Sequence, residues 1–187
     1  MTESLKNLNR YSTPAKALVE PAPDDEQLRL ILKTALTAPD HGRLHPYRFI
    51  SIRGKARRKL SEIFCQATLD REPGVDQAYL AKQKDKPLRS PLIVVVVASP
   101  INSPKIPEIE QLLSAGAAAH NVLLAANALG FGSIWLTGAN AYDAYVCREL
   151  GLDTNERIIG FIYIGTPKIE FQPRPIPEVS RHHSEWK

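Results

Sequence analysis

A chain of 187 residues, 43% hydrophobic and 24% charged, can bury one core without metal or disulfide staples and fits a single domain, residues 1–187. Its two cysteines, Cys65 and Cys147, lie far apart and outside any Cys-x-x-Cys, which excludes a disulfide scaffold and suits reduced thiols in a cytoplasmic protein. The formal net charge is +4. The basic residues are scattered, or gathered only in the runs 53–59 and 82–86, which read as solvated helix faces, so nucleic acid is not an expected partner.

Residues Met1 to Leu8 contain no apolar h-region, so no secretory signal is expected. Leu5 and Leu8 share one face of a short helix over Ser4 to Arg10. Pro21-Ala22-Pro23-Asp24 then opens a stronger one: Asp24 can cap, Gln27 stands where a capping box places an amide, and Leu28, Ile31, Leu32, Ala35 and Leu36 form one apolar stripe. Pro39 ends it, because a residue before proline resists the helical region. After a loop from Asp40 to Tyr47, Arg48 to Arg53 reads as a strand, and Gly54 opens a helix through Leu60, Ile63, Phe64 and Ala67. The polar stretch from Glu72 to Lys86 carries only a weak helical signal. Leu92 to Ala98 is apolar without alternation, the pattern of a strand buried on both faces.

Prolines 100, 104 and 107 mark a loop. The helix from about Glu108 to Leu129 is apolar nearly all round, which demands a core or a subunit interface. Its Ser114, His120, Asn121 and Asn127 suit a protein interior rather than lipid, so no membrane partner is expected. Gly130 and Gly132 punctuate its end. A strand over Ser133 to Thr137, a helix over Tyr142 to Leu150 and a strand over Arg157 to Ile164 follow. The tail from Pro167 to Lys187, with prolines at 167, 173, 175 and 177, is expected to be an extended arm. The sum is an α+β domain of about four strands.

Several chemistries fail on these residues. His41 and His45 stand at a spacing that suits zinc on a helix, but no glutamate lies between them and Pro39 and Gly42 oppose a helix, so no metal site is expected. Gly130-Phe131-Gly132 follows a helix and precedes a strand, and Trp135 occupies the place of the third glycine, so the dinucleotide fingerprint is absent. No Gly-x-Ser-x-Gly or P-loop occurs.

Asn9-Arg10-Tyr11-Ser12 offers a cation and a hydroxyl, Ala38-Pro39-Asp40-His41 a histidine on a loop, and Gly130-Phe131-Gly132-Ser133-Ile134-Trp135-Leu136-Thr137-Gly138 a glycine-rich approach to an aromatic strand end. A flat, phosphate-bearing cofactor needs such parts. In this order, and closed by Gly165-Thr166-Pro167, they resemble the nitroreductase family of flavin enzymes in its minimal single-domain, YdjA-like branch, over about Asn9 to Pro167.

The resemblance implies the nitroreductase fold, a central mixed or antiparallel sheet flanked by helices, and a homodimer with FMN at the subunit interface. It implies an NAD(P)H oxidoreductase in which hydride passes from NADH or NADPH through flavin N5 to a small oxidised acceptor of the nitroaromatic, quinone or enone class, in ping-pong order. No catalytic side chain is required. Arg10 and Ser12 would hold the FMN phosphate and Tyr11, where the family has a basic residue, would contribute its backbone. His41 would contact FMN, and Trp135, Leu136 and Thr137 would lie beside the ring. Thr37 occupies the place of an arginine that reaches over from the other subunit in this branch, and His45-Pro46-Tyr47 the place of Gln-Pro-Trp. Lys16 lies slightly beyond the position of the family's cation near the flavin N1–C2=O edge, and Lys168 is read as solvent-facing. The competing reading is a non-enzymatic flavin binder or a sensor of reduced nicotinamide.

Overall fold

The computed structural model describes residues 10–169 and 175–187, so the helix expected over Ser4 to Arg10 falls almost wholly outside the described residues. The elements run β1 (Leu18–Val19), α1 (Asp25–Ala35), β2 (Tyr47–Arg53), α2 (Ala56–Arg71), α3 (Gln77–Asp85), β3 (Leu92–Ala98), α4 (Glu108–Ala128), β4 (Gly132–Leu136), α5 (Ala144–Glu149) and β5 (Arg157–Pro167). The sheet has the order β1-β5-β3-β2, with β4 also on β5, and every pairing is antiparallel. The fifth strand beyond the four expected is β1, two residues long and too short to show a period.

β3 explains why the sheet needs helices on both sides. Ile93, Val95 and Val97 pack with Leu60, Phe64 and Ala67 of α2 and Val146 of α5, while Leu92, Val94 and Val96 pack with α1 and α4 through Ile31, Ala119 and Val122. All seven residues of β3 are buried. α1 begins with the expected capping box, Asp24 accepting from the Gln27 amide at 2.8 Å and the Gln27 side chain accepting from the Asp24 amide at 3.0 Å. α3, weak in sequence, is capped by Asp76 at the Tyr79 amide and tied to α2 through the Ser61 hydroxyl and the Lys84 carbonyl. β5 continues past Ile164 because Gly165, Thr166 and Pro167 pair with β4 and β1. Residues 175–187 are exposed and contain a single 3-10 turn, Val179–Arg181.

A bidentate pair pins the start of β5. Arg48 of β2 donates from Nε to Glu156 Oε1 at 2.7 Å and from Nη2 to Oε2 at 2.6 Å, and the Ser99 hydroxyl and the Asp153 amide also donate to this carboxylate. These bonds, Arg48 first, outweigh burial and hold the Glu156 carboxyl down at about 2. Its folded pKa lies below its unfolded one, so the stabilisation is present above pH ~4.5 and is lost as pH falls toward ~2. Glu156→Gln is expected to cost roughly 2–3 kcal/mol at neutral pH and much less at pH ~2. Urea titrations at both pH values check this, and equal losses at both would refute it.

Candidate functional site

β4 borders the candidate site. The Trp135 indole lies across Gly160 of β5, where any Cβ would overlap the ring, and its Nε1–H donates to the Ile159 carbonyl at 3.2 Å. The side chain is thus committed to packing, which leaves its backbone for other contacts. Beyond it, Leu136, Thr137 and Gly138 open onto a recess of about 250 Å³. The recess is also lined by Phe64, Phe161 and Tyr163, by Asn140, and by Lys86 and Arg89. Phe64 and Phe161 meet edge to face with centroids 5.3 Å apart. Burial pushes the Tyr163 hydroxyl well above its usual range, so it stays neutral.

The charges here are unequal. Arg89 pairs with Asp85 at 2.9 Å, and Arg71 behind the recess pairs with Asp143 and donates to Asn140 Oδ1 at 2.8 Å. Lys86 has no carboxylate partner among the described residues, and burial, then Arg89 and Arg71, pull its pKa down. A half-buried cation without a carboxylate partner, in a recess also lined by aromatic side chains, suits a flat ligand with an electron-rich edge. Lys86 is the functional candidate that the sequence reading missed. Lys82 and Lys84 on α3 do face solvent, as expected of the run. Lys86 differs because Pro87 stops the helix there and the 3-10 turn Lys86–Leu88 turns it inward, so that proline is the signal that could have found it.

The other end of β4 holds the N-terminal segment. The Thr13 amide donates to the Ser133 carbonyl at 3.0 Å, which sets Arg10, Tyr11 and Ser12 alongside the strand's start. Arg10 Nη1 is buried without a hydrogen-bond partner, Tyr11 is half-buried and already engaged, and Ser12 is exposed. A buried, unpaired guanidinium nitrogen is costly, and an oxyanion placed there would satisfy it. From Ser133 to Thr137 the strand advances ~13 Å, at about 3.3 Å per residue. A buried, unpaired guanidinium nitrogen and an aromatic-lined recess thus stand toward the two ends of one strand.

Thr37, just past α1, and His41, held by α4, form a second group. Thr37 is exposed and its hydroxyl donates back to the Thr34 carbonyl at 2.8 Å. His41 Nδ1 lies 2.6 Å from Glu110 Oε2. The two histidines engage different carboxylates, since His45 Nδ1 lies 3.6 Å from Asp40. The His41–Arg43 segment is a kinked 3-10 turn, not an α-helix, in keeping with Pro39 and Gly42. Lys16 and Lys168 are exposed.

Among the described residues no helix is long and apolar enough to cross a membrane. The nitroreductase family profile matches residues 8–166. The chain is 38% identical over 92% of its length, and 95% of the other, to Escherichia coli (strain K12) YdjA, which bears the name of an NAD(P)H nitroreductase. It is 36% identical over 81% of its length to a Haemophilus influenzae protein of the same name class, of which 82% is covered. Among solved structures, a nitroreductase-like family protein from Bacillus cereus superposes with a TM-score of 0.83 at 21% identity, covering 100% of this chain and 98% of that one. A Desulfovibrio desulfuricans protein solved in complex with FMN and titled a nitroreductase gives 0.75 at 25% identity, covering 100% and 99%.

Proposed function

This chain belongs to the nitroreductase family of oxidoreductases, and we propose that it is an FMN-dependent NAD(P)H oxidoreductase acting on small, flat oxidised acceptors of the nitroaromatic, quinone or enone class. The observation that carries this reading is Lys86, without a carboxylate partner among the described residues, in an aromatic-lined recess at one end of β4, with the buried, unpaired Arg10 Nη1 toward the other. The FMN complex of the Desulfovibrio relative supports it.

When bound, FMN supplies hydride exchange at its N5 position. The chain supplies the rest. Arg10 and Ser12 hold the phosphate, aided by the Tyr11 backbone. The backbone of Trp135, Leu136 and Thr137 follows the ring edge. Phe64, Phe161 and Tyr163 keep water from the recess, and Lys86 sets a positive charge beside the ring. The exposed apolar face of α4, with Ile109 and Leu113, suits a second copy, so the protein acts as a homodimer and the neighbouring Thr37 and His41 serve the shared interface.

The purified protein should absorb as a flavoprotein and release FMN. With NAD(P)H varied at several acceptor concentrations it should give parallel double-reciprocal lines, since donor and acceptor take turns on one face. A yellow protein without turnover would leave only a flavin binder, and a colourless protein unable to take up FMN would end the proposal. Lys86→Met should make the flavin midpoint more negative by about 30–60 mV, because a cation favours the anionic reduced form. An unchanged potential would remove Lys86 from the site.

A further inference from the structure

The segment from Pro39 to His45 is held against α4, the loop before it and itself by contacts of different kinds. The Ser114 hydroxyl donates to the Pro39 carbonyl at 2.8 Å. Gly42 adopts φ +74° against Ile106, whose Cδ1 would lie 2.5 Å from any Cβ placed there. Arg43 and His45 also have positive φ, +55° and +48°, and the His45 amide is fixed by Asp40 Oδ2 at 2.7 Å. Non-glycine residues in this region are strained, and such strain persists only where surrounding contacts impose it. His41 sits in this clamped turn, with its Nδ1 2.6 Å from Glu110 Oε2 of α4.

His41 is 62% exposed and Glu110 43%, so the pair adds little to stability. Its effect is orientational. A carboxylate can only accept, so Nδ1 carries the proton and the ring turns Nε2 away from α4. Nearby carboxylates are engaged elsewhere: Glu108 with Arg157 at 3.2 Å, and Asp40 with His45.

We propose that Glu110 is a positioning residue for His41, fixing the Nδ1–H tautomer so that Nε2 offers a lone pair to a cofactor hydroxyl or ring N–H rather than a proton to the phosphate. The inference rests on the reading that His41 faces the flavin. An imidazole held this way matches a donor such as a ribityl hydroxyl. Phosphate oxygens only accept, so they are left to Arg10 and Ser12.

Two readouts test this. Imidazole ¹⁵N spectra, assigned with His41→Ala, should show His41 as the Nδ1–H tautomer, lost in Glu110→Ala and restored in Glu110→Gln, whose amide oxygen also accepts. Affinities for riboflavin and FMN, measured by fluorescence quenching, should both weaken about fivefold in Glu110→Ala. His41→Ala should weaken the two ligands by equal factors, and Glu110→Gln should recover most of the loss. An Nε2–H tautomer, an effect confined to FMN, or full affinity in Glu110→Ala beside a weakened His41→Ala would overturn the proposal while the FMN reading stands. Unchanged affinity in His41→Ala would remove His41 from the site, and the proposal with it. Failure to bind either flavin in the unmodified protein would instead overturn the cofactor reading itself.

Discussion

Arg10→Ala should weaken FMN binding by roughly ten- to over a hundredfold, the loss of a charge-assisted hydrogen-bond set of about 1.5–3 kcal/mol. The flavin-free protein should behave differently. Arg10 Nη1 is buried without a partner, so its removal relieves a cost in that state, and the unliganded melting temperature should hold or rise. The stabilisation that added FMN confers should shrink, because it follows the ratio of ligand concentration to Kd. Arg10→Lys should recover only part of the affinity, since a point charge cannot reproduce the planar fork. Fluorescence titration and melting curves with and without FMN separate these effects. Tight FMN retention by Arg10→Ala would place the phosphate elsewhere.

Much of the fold was legible where one interaction is local or one pattern dominates. Asp24 and Gln27 lie three residues apart, and their reciprocal bonds form as the capping-box rule demands. The unbroken apolar run of β3 announced a strand covered on both faces. Gly130 and Gly132, between the long apolar helix and the strand expected from Ser133, marked a helix handing over to a strand. What stayed hidden depends on distant partners. Arg48 meets Glu156 across 108 residues, and His41 meets Glu110 across 69. No periodicity encodes such pairs.

The candidate site was legible as motifs but not as an arrangement. Arg10, Ser12 and Trp135 to Thr137 stood out singly, whereas the bond from Thr13 to Ser133 that joins them belongs to tertiary structure. Lys86 was misjudged because four charges in five residues resemble a solvated face, and only the turn imposed by Pro87 separates it from Lys82 and Lys84. The division into one group on β4 and another beside α4 is also a product of folding.

Leu113→Glu should convert the protein into a monomer with greatly weakened FMN binding. One flank of α4 packs on α1 and the sheet through Ala115, Ala119 and Val122, but Leu113 remains 66% exposed and Ile109 60% in a single subunit. With Leu36, 51% exposed, they form apolar surface that burial would stabilise by about 1.5–3 kcal/mol per large side chain. A second copy is expected to cover it through an interface above about 2,000 Å². In a two-fold assembly each substitution enters twice, so two unpaired carboxylates would be buried, at about 3–5 kcal/mol for an uncompensated charge. Because Leu113 is mostly exposed within its own subunit, the monomer should still fold. FMN affinity should fall with it, because the proposed cofactor site lies at the subunit interface. Leu69→Glu, on α2 across the sheet, provides the control and should remain dimeric. Light scattering at micromolar concentration, with circular dichroism for folding, reads the result. A dimeric Leu113→Glu protein would put the interface elsewhere, and a monomeric unmodified protein that binds FMN tightly would show that one subunit completes the site alone.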